Sequence, residues 1–355
     1  MIVQLCDVCD FQGGSQPPKE QWISEPKDGY IRMLQIRDFT QGNKVIPEYV
    51  KVTNTIKICS SDDILIARYG ASVGKILTGL EGAYNVAIMK TIPDERYISK
   101  KYLYYFLNSN KFQNTILNVG SRAAQAGFNK EDLKSIFIKC PDLEEQQKIA
   151  AVLDKVSDLI TLRKKQLEKL EELVKARFVE MFGDPIYNSQ HFPTTEFVNV
   201  VTLQRGYDLP VYNRNSGGLI PIYGANGILD YHNEAKSRNG VITGRSGTIG
   251  KVYYCEGFFW PLNTTLFSID NHGNNVIYLA YLLQYFNLKR FYDGTGVPTL
   301  NRNIIHKKQI INIPIELQEQ FANFVTKVDK QKLTIQKSLD KLEILKKALM
   351  QEYFG

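Results

Sequence analysis

The sequence predicts an α+β protein in which two similar mixed α/β units alternate with two long helices, and the helices pair as an antiparallel coiled coil with pseudo-twofold symmetry. Three features indicate this fold: an internal duplication, two segments with a heptad pattern, and a helix-breaking turn between the copies. A chain of 355 residues also needs more than one hydrophobic core. In chain order, we expect a first unit at 1–142, a helix at 143–183, a second unit at 184–315 and a helix at 316–355.

The duplication is clearest at the end of each copy. Residues 169–183 read KLEELVKARFVEMFG and residues 341–355 read KLEILKKALMQEYFG, which are identical at nine of fifteen positions. Upstream of these segments, LEEQ at 143–146 corresponds to LQEQ at 317–320. A duplication on this scale predicts that the two copies share one fold.

Shorter matches extend the duplication into the mixed regions. LIARYGASVGKI from Leu65 corresponds to VITGRSGTIGKV from Val241, and each is an apolar run followed by a glycine turn, which predicts a strand and a tight turn. The Gln-Gly-Gly sequence at 12–14 corresponds to Gln-Arg-Gly at 204–206. The lengths between these matches differ, so we expect a common scaffold with different surfaces.

A heptad pattern identifies the two long helices. In each copy, eight of the ten a and d positions are apolar when the repeat is counted from Ile149 or from Phe321. A period of 3.5 residues held over five heptads favours a coiled coil. The Phe-Gly-Asp-Pro sequence at 182–185 ends the first helix, so the second helix has to return and the antiparallel sense is expected.

Composition excludes several classes of protein. Hydrophobic residues make up 43% of the chain, which argues against intrinsic disorder, and no apolar run is long enough to span a bilayer. The N-terminal sequence lacks the features of a signal peptide, and the five scattered cysteines do not suggest a disulfide framework. We therefore expect a soluble, cytoplasmic protein without a membrane partner. The net charge of +7 suits a polyanionic partner without proving one.

Motifs with a chemical appearance do not amount to a catalytic or metal site. The Gly-Lys turns that end at Lys75 and Lys251 lack the spacing and the Ser or Thr of a phosphate-binding P-loop, so a turn that presents a lysine to a phosphate backbone is the favoured interpretation. Cys6 and Cys9 have no second ligand pair at zinc spacing. The four histidines are dispersed, and the cofactor and catalytic motifs of a DNA methyltransferase are missing. The aromatic run at 102–106 is expected to fill a core.

Polar and basic residues in the predicted loops are the candidates for contacting DNA. Arginine pairs well with guanine in the major groove, and asparagine or glutamine with adenine, while lysine suits phosphates. The candidates in the first unit are Arg32, Arg37, Arg68, Lys75, Arg122, Gln125 and Lys130. Those in the second unit are Arg205, Tyr223, Asn226, Arg245, Lys251, Asn301 and Arg302. No metal ligands are expected.

The sequence resembles the specificity subunits of type I restriction-modification systems over essentially its whole length. The motifs that carry the resemblance are GRSGTIGKV from Gly244, FWPLNTTL from Phe259, PTLNRNII from Pro298, PDLEEQQKIAAVLDKVSDLI from Pro141 and the two KLE…FG helix ends. The resemblance implies that each unit is a target recognition domain for one half of a split DNA site, and that the helices set the unspecified gap. It also implies that the subunit itself is not an enzyme.

The same resemblance implies the partners. These are double-stranded DNA, two modification subunits that carry S-adenosylmethionine and methylate adenine, and restriction subunits; this chain would hold no cofactor itself. Two alternatives stay open at the level of sequence. One is the specificity subunit of a related modification system that is not type I, and the other, less favoured, is a self-contained methyltransferase or nuclease.

Overall fold

The computed structural model describes residues 1–120, 127–293 and 299–355. The chain divides into two compact units: Met1–Arg163 together with Ser338–Gly355, and Lys164–Lys337. Each unit therefore contains one mixed region and one half of each long helix. This division by contacts cuts across the four segments that follow from chain order.

In its described residues, the first unit has ten short strands, which form two four-stranded sheets and a terminal pair. The sheets have the orders β2-β9-β6-β7 and β4-β3-β8-β5, and β1 pairs with β10. The strands are β1 Ile2–Gln4, β2 Cys9–Gly13, β3 Tyr30–Leu34, β4 Tyr49–Lys51, β5 Ile58–Cys59, β6 Leu65–Ala67, β7 Ile76–Leu77, β8 Gly82–Tyr84, β9 Ile88–Pro93 and β10 Phe137–Lys139. The helices that begin in this unit are α1 Leu5–Val8, α2 Ile36–Gln41, α3 Lys100–Leu107, α4 Asn110–Gly120, α5 Lys130–Leu133 and α6 Leu143–Phe182.

The second unit is built around one six-stranded sheet with the order β12-β17-β15-β16-β13-β14. The strands of the unit are β11 Thr194–Glu196, β12 Thr202–Arg205, β13 Ile220–Gly224, β14 Gly227–His232, β15 Ser237–Gly244, β16 Val252–Pro261, β17 Thr265–Asp270, β18 Tyr292–Asp293, β19 Thr299–Leu300 and β20 Gln309–Ile311. Its helices are α7 Val276–Tyr285, α8 Arg302–His306 and α9 Ile315–Phe354.

Each unit has its own closing pair of strands, as the duplication predicts. In the first unit β1 pairs antiparallel with β10, with Val3 opposite Ile138. In the second unit β11 pairs in the same way with β20, with Thr195 opposite Ile310. The strand that opens each mixed region thus closes against the strand that precedes the long helix, and this places the start of the helix against the sheet.

The two long helices confirm the heptad prediction. Each has 40 residues, and all twenty of the predicted a and d positions are buried or half-buried. The first helix ends at Phe182, and Gly183 adopts φ +70°, a left-handed conformation that glycine accepts without strain. The N–H of Gly183 donates to the carbonyl of Val179 over 2.8 Å, which satisfies one of the last helix carbonyls.

The core of each unit shows the antiparallel sense of the helices. In the first unit, Ile149 and Leu153 near the start of α6 share a core with Phe354 at the end of α9. In the second unit the ends are exchanged, because Phe178 and Phe182 near the end of α6 share a core with Phe321 near the start of α9. The Phe182 and Phe321 rings lie 5.6 Å apart, centroid to centroid, in an edge-to-face arrangement.

The helix starts correct one detail of the sequence comparison. The structure places Gln146 and Gln318 at equivalent positions, since each donates from its side-chain amide to the backbone carbonyl five residues earlier. LEEQ and LQEQ therefore do not correspond letter by letter, and the proper register is shifted by two residues. The two four-residue sequences look alike in another alignment, but the buried glutamine of each helix start shows which residues are structurally equivalent.

The aromatic run at 102–106 lies in the core, as predicted. Tyr102, Tyr105 and Phe106 are buried, and the Tyr102 hydroxyl donates to the carbonyl of Lys139 over 2.7 Å. In the described parts of the chain, none of the helices combines the length and the apolar character that crossing a membrane requires.

Candidate nucleic-acid interface

Two loops of the second unit are joined by backbone hydrogen bonds. The turn after β15 contacts the segment that precedes α8 through a β-bridge between Ser246 and Thr299. The N–H of Leu300 donates to the carbonyl of Arg245, and the N–H of Arg245 donates to the carbonyl of Thr264, both over 2.8 Å. Arg245 is thus held on both sides of its backbone, and its side chain has a fixed origin.

The glycines of GRSGTIGKV have a structural role in this turn. A Cβ on Gly244 would overlap the carbonyl oxygen of Thr248, so only glycine fits where the turn closes on itself. Gly247 and Gly250 have φ values of +79° and +89°. The turn leaves Lys251 exposed, with its backbone carbonyl accepting a hydrogen bond from the Thr243 hydroxyl over 2.9 Å. This geometry agrees with a tight turn that presents a lysine.

Four of the predicted DNA-contacting residues of this unit surround one cavity of about 310 Å³. Arg205 comes from the end of β12, Arg245 from the turn after β15, and Asn301 and Arg302 from the start of α8. They are separated by up to 97 residues in the chain, so the tertiary fold brings them together. The remaining lining residues are Leu266, Thr299, Leu300 and Asn303.

The start and the end of α8 are both fixed. The Asn301 side chain caps the helix by accepting a hydrogen bond from the N–H of Asn303 over 3.0 Å. At the other end, Nε2 of His306 accepts a hydrogen bond from the N–H of Leu203 over 3.0 Å. Burial of the imidazole, and to a smaller extent the nearby Arg302, lowers the pKa of His306 below its ordinary value of 6.5, which favours the neutral ring that this hydrogen bond requires.

The first unit repeats this junction with other side chains. Tyr69 forms a β-bridge with Gly127, and the N–H of Phe128 donates to the carbonyl of Arg68 over 3.3 Å. Asn129 then caps the following helix, as Asn301 does in the second unit. Lys75, the counterpart of Lys251, is also exposed. The junction is therefore part of the common scaffold.

Arg68 is the counterpart of Arg245: its N–H donates to the carbonyl of Ala87 over 2.8 Å, as that of Arg245 donates to Thr264, and each carbonyl accepts from the residue that precedes the helix cap. Nε of Arg68 donates to the carbonyl of Phe128 over 3.3 Å, and its Nη1 lies 3.2 Å from the place where Gly13 would carry a Cβ. The residue on the neighbouring strand differs between the units, because Gly13 of the first unit corresponds to Arg205 of the second. These two positions therefore supply one guanidinium in the first unit, from Arg68, and two in the second, from Arg205 and Arg245.

Three basic candidates of the first unit are paired with carboxylates of the same unit. Nη2 of Arg32 lies 2.7 Å from Oδ1 of the buried Asp38, and Nη2 of Arg37 lies 2.7 Å from Oε2 of Glu48. Lys130 pairs with Asp10, and a hydrogen bond from the lysine lowers the pKa of that carboxyl. Their charges are partly neutralised in the chain itself.

The remaining candidates are dispersed. Tyr223 requires a correction: it is buried between Tyr253 and Phe259, and burial raises its pKa to about 12, so it is a core residue and not a surface contact. The residue belongs to a buried cluster with Ile242, Phe259 and Phe267, and this packing explains why it is not at the surface. Asn226 is exposed in the turn between β13 and β14. Arg122 and Gln125 lie outside the described residues.

The cavity adds two polar residues that the sequence did not single out. Thr299 and Asn303 flank Asn301 and Arg302 in the same PTLNRN run, and both line the cavity. Their position within two residues of Asn301 was the one feature of the sequence that could have marked them as candidates. The choice among neighbours in a loop depends on which of them face inward, and this is a tertiary property.

Comparison with known proteins identifies the class to which this fold and these loop junctions belong. The model of the type I restriction modification DNA specificity domain matches the chain twice, over residues 1–172 and 190–345. The chain belongs to this family, the specificity subunits of type I restriction-modification systems.

Two archaeal relatives illustrate the extent of the similarity. The chain is 23% identical to the type I restriction enzyme MjaIX specificity subunit of Methanocaldococcus jannaschii, over 98% of this chain and 91% of that protein. It is 26% identical to the MjaVIII specificity subunit of the same organism over 55% of this chain, and this match spans 44% of the relative's length.

Solved structures show the same fold at lower sequence identity. The crystal structure of the type I restriction-modification S subunit from M. genitalium superposes with a TM-score of 0.65 at 16% identity, covering 100% of this chain and 96% of the other. A chain from a structural study of complex assembly and conformational transition of the type I system gives a TM-score of 0.60 at 16% identity, with 100% and 97% coverage.

Proposed function

We propose that this chain is the non-catalytic DNA-recognition subunit of a type I restriction-modification complex, and that each of its units reads one half of a bipartite site. The observation that carries the proposal is the loop junction that both units repeat, with basic and amide side chains gathered where strands end. Loops held by a rigid sheet are a common location for recognition residues. The differences between the two junctions agree with two different half-sites.

Specific DNA recognition requires both positioning and reading. Arginine and lysine position a protein on the phosphate backbone, while arginine, asparagine and glutamine also distinguish base edges. The second unit gathers Arg205, Arg245, Asn301 and Arg302 around one cavity, with Lys251 exposed in the turn after Arg245. This set offers donors and positive charge, which suit a polyanion.

The helices complete the proposal. We infer that their length sets the unspecified gap between the half-sites and that their exposed faces dock two modification subunits, which restriction subunits then join. In this scheme S-adenosylmethionine binds to the modification subunits and adenine methylation takes place there, in the cytoplasm. The names of the relatives, which are specificity subunits of type I restriction enzymes, support the assignment.

The decisive experiment maps methylated adenines across the genome in strains with and without the gene. We expect a bipartite motif with a fixed gap that disappears on deletion and returns with the intact gene. The purified chain alone should transfer no methyl group from S-adenosylmethionine to DNA. A continuous motif, or methyl transfer by the isolated chain, would contradict the proposal.

A further inference from the structure

We propose that the cavity bordered by Arg205, Arg245 and Arg302 binds a phosphate group of the DNA backbone, and that the first unit lacks an equivalent site. The inference rests on the proposed function as a DNA-recognition subunit and adds a division of labour to it. The second unit would hold the duplex through an anion site, whereas the first would contribute less to salt-dependent affinity.

The lining of the cavity has the composition of an anion site. Three guanidinium groups border it, and Leu266 and Leu300, both buried, provide an apolar base. Among the described residues that line it there is no Asp or Glu. Positive charge without a compensating carboxylate, next to apolar surface that excludes water, strengthens the attraction for an anion.

The three guanidinium groups are not neutralised by the unit itself. Within residues 1–120, 127–293 and 299–355, Arg205, Arg245 and Arg302 form no ion pair, whereas Arg32 and Arg37 of the first unit each have a carboxylate partner. Arg205 is exposed, and the other two are half-buried. A half-buried guanidinium without a carboxylate partner in the unit indicates that its partner is an anion from another molecule.

The hydrogen-bonding groups favour a phosphate over a base edge. Oδ1 of Asn301 already accepts the helix-cap hydrogen bond from the N–H of Asn303, so the group it mainly offers a ligand is its amide nitrogen, a donor. Arginine also offers donors only. Adenine and cytosine each display an amino donor in the major groove, which a set of donors does not complement. Guanine offers acceptors, but a single arginine satisfies them. A phosphate accepts hydrogen bonds from several donors at once. Three arginines around one cavity therefore fit a phosphate best.

The backbone holds these donors in place before any ligand arrives. Arg245 is anchored by hydrogen bonds to Thr264 and Leu300, and Arg205 ends a strand paired with β17. Arg302 is the first residue of a helix whose cap is formed. Donors with fixed origins lose little conformational freedom on binding, which raises affinity for a given set of contacts.

The first unit has a different set of side chains at the equivalent positions. The positions of the two units can be matched through the glycines and the helix caps. Gly14 lies against the backbone carbonyls of residues 84 and 85, as Gly206 does against those of residues 261 and 262, and Asn129 and Asn301 cap equivalent helices. Arg205 then corresponds to Gly13 and Arg302 to Lys130, which pairs with Asp10, while Arg245 corresponds to Arg68, whose guanidinium donates to the carbonyls of Phe128 and Val86. Only the second unit brings three unpaired cations to this junction, among the described residues.

The test is the salt dependence of DNA binding by the full chain. Fluorescence anisotropy would give the dissociation constant of a random-sequence duplex, and of a duplex that the wild-type chain selects from a random library, over a range of salt concentrations. For Arg245→Gln we expect the slope of log K against log salt to fall by about 0.9, with the same factor lost on both duplexes. Arg238→Gln, an exposed arginine of the same unit outside the cavity, is the matched control and should keep the wild-type slope.

Arg205→Gln provides a second variant, because an exposed strand end tolerates this change even if the turn at 245 does not. An unchanged slope in the variants would overturn the inference. A loss confined to the selected duplex would also overturn it, since it would identify a base contact. If the wild-type chain bound neither duplex, the proposed function itself would fail, and this outcome is distinct from the other two.

Discussion

The Oε1 atom of Gln146 accepts a 2.9 Å hydrogen bond from the backbone N–H of Ser99, the residue that caps α3. Gln318 makes the same contact with Asn275, the cap of α7, over 2.9 Å. Both glutamines are buried. Each long helix is therefore tied to a shorter helix of its unit by a hydrogen-bonded side chain, which fixes the helix against the mixed region.

Replacement of Gln146 by leucine should destabilise the first unit. The substitution leaves the N–H of Ser99 and the carbonyl of Pro141 without the partner that Gln146 supplies, and each such loss costs about 1–3 kcal/mol. Denaturant unfolding would measure the change. Gln147→Leu, at the next and exposed position, is the control and should be nearly neutral. Equal effects of the two substitutions would refute the role of the buried amide.

Gly206→Ala should be more harmful than its small size suggests. A Cβ at this position would overlap the carbonyl oxygens of Leu262 and Pro261, so the two segments must separate, at a cost of about 1–3 kcal/mol. Gly257→Ala offers the comparison, because a methyl group added at Gly257 would meet nothing within 4 Å. Thermal unfolding of both variants would show a lower melting temperature for the first only.

The second unit should lose stability as the pH falls below about 6.5, the ordinary pKa of histidine. The pKa of His306 is lowered in the fold, so the unfolded chain binds a proton first and the stabilisation is lost as the pH falls towards the lowered value. Protonation also removes the acceptor for the N–H of Leu203. In His306→Gln this part of the pH dependence of unfolding should disappear, whereas an unaltered profile would show that other groups cause it.

Asp10→Asn should increase the salt dependence of DNA binding. The change frees Lys130 from its carboxylate partner, and a released cation near the junction of the first unit can contact a phosphate, which adds about 0.9 to the slope of log K against log salt. Asp7→Asn makes the same change of net charge at a nearby exposed position and is the control. If both variants gave equal slopes, net charge alone would account for the effect.

Shortening both helices by one heptad should shorten the gap in the methylated motif. Removal of 160–166 and 332–338 preserves the heptad phase and shortens each helix by about 10 Å, or roughly three base pairs of duplex. Both half-sites should stay the same. The map of methylated adenines in a strain carrying the shortened gene provides the measurement, and an unchanged gap would show that the helices do not set it.

The sequence by itself determined the duplicated fold and the two long helices, because these depend on local and periodic properties. A heptad repeat specifies which face of a helix is buried wherever the partner comes from, and all twenty predicted positions are buried or half-buried. A glycine turn after an apolar run likewise specifies a strand and its end, as at Gly244. The family resemblance rested on the same features, and the family match confirms it.

Only the tertiary structure decided which candidate side chains act together. Arg205 and Arg302 meet at one cavity across 97 residues of chain, while Lys130 finds Asp10 across 120 residues, and no periodic pattern encodes either contact. Tyr223 was predicted at the surface and lies in the core for the same reason. Burial and ion pairing depend on segments that are distant in sequence, so they are settled only when the sheets assemble and bring those segments together.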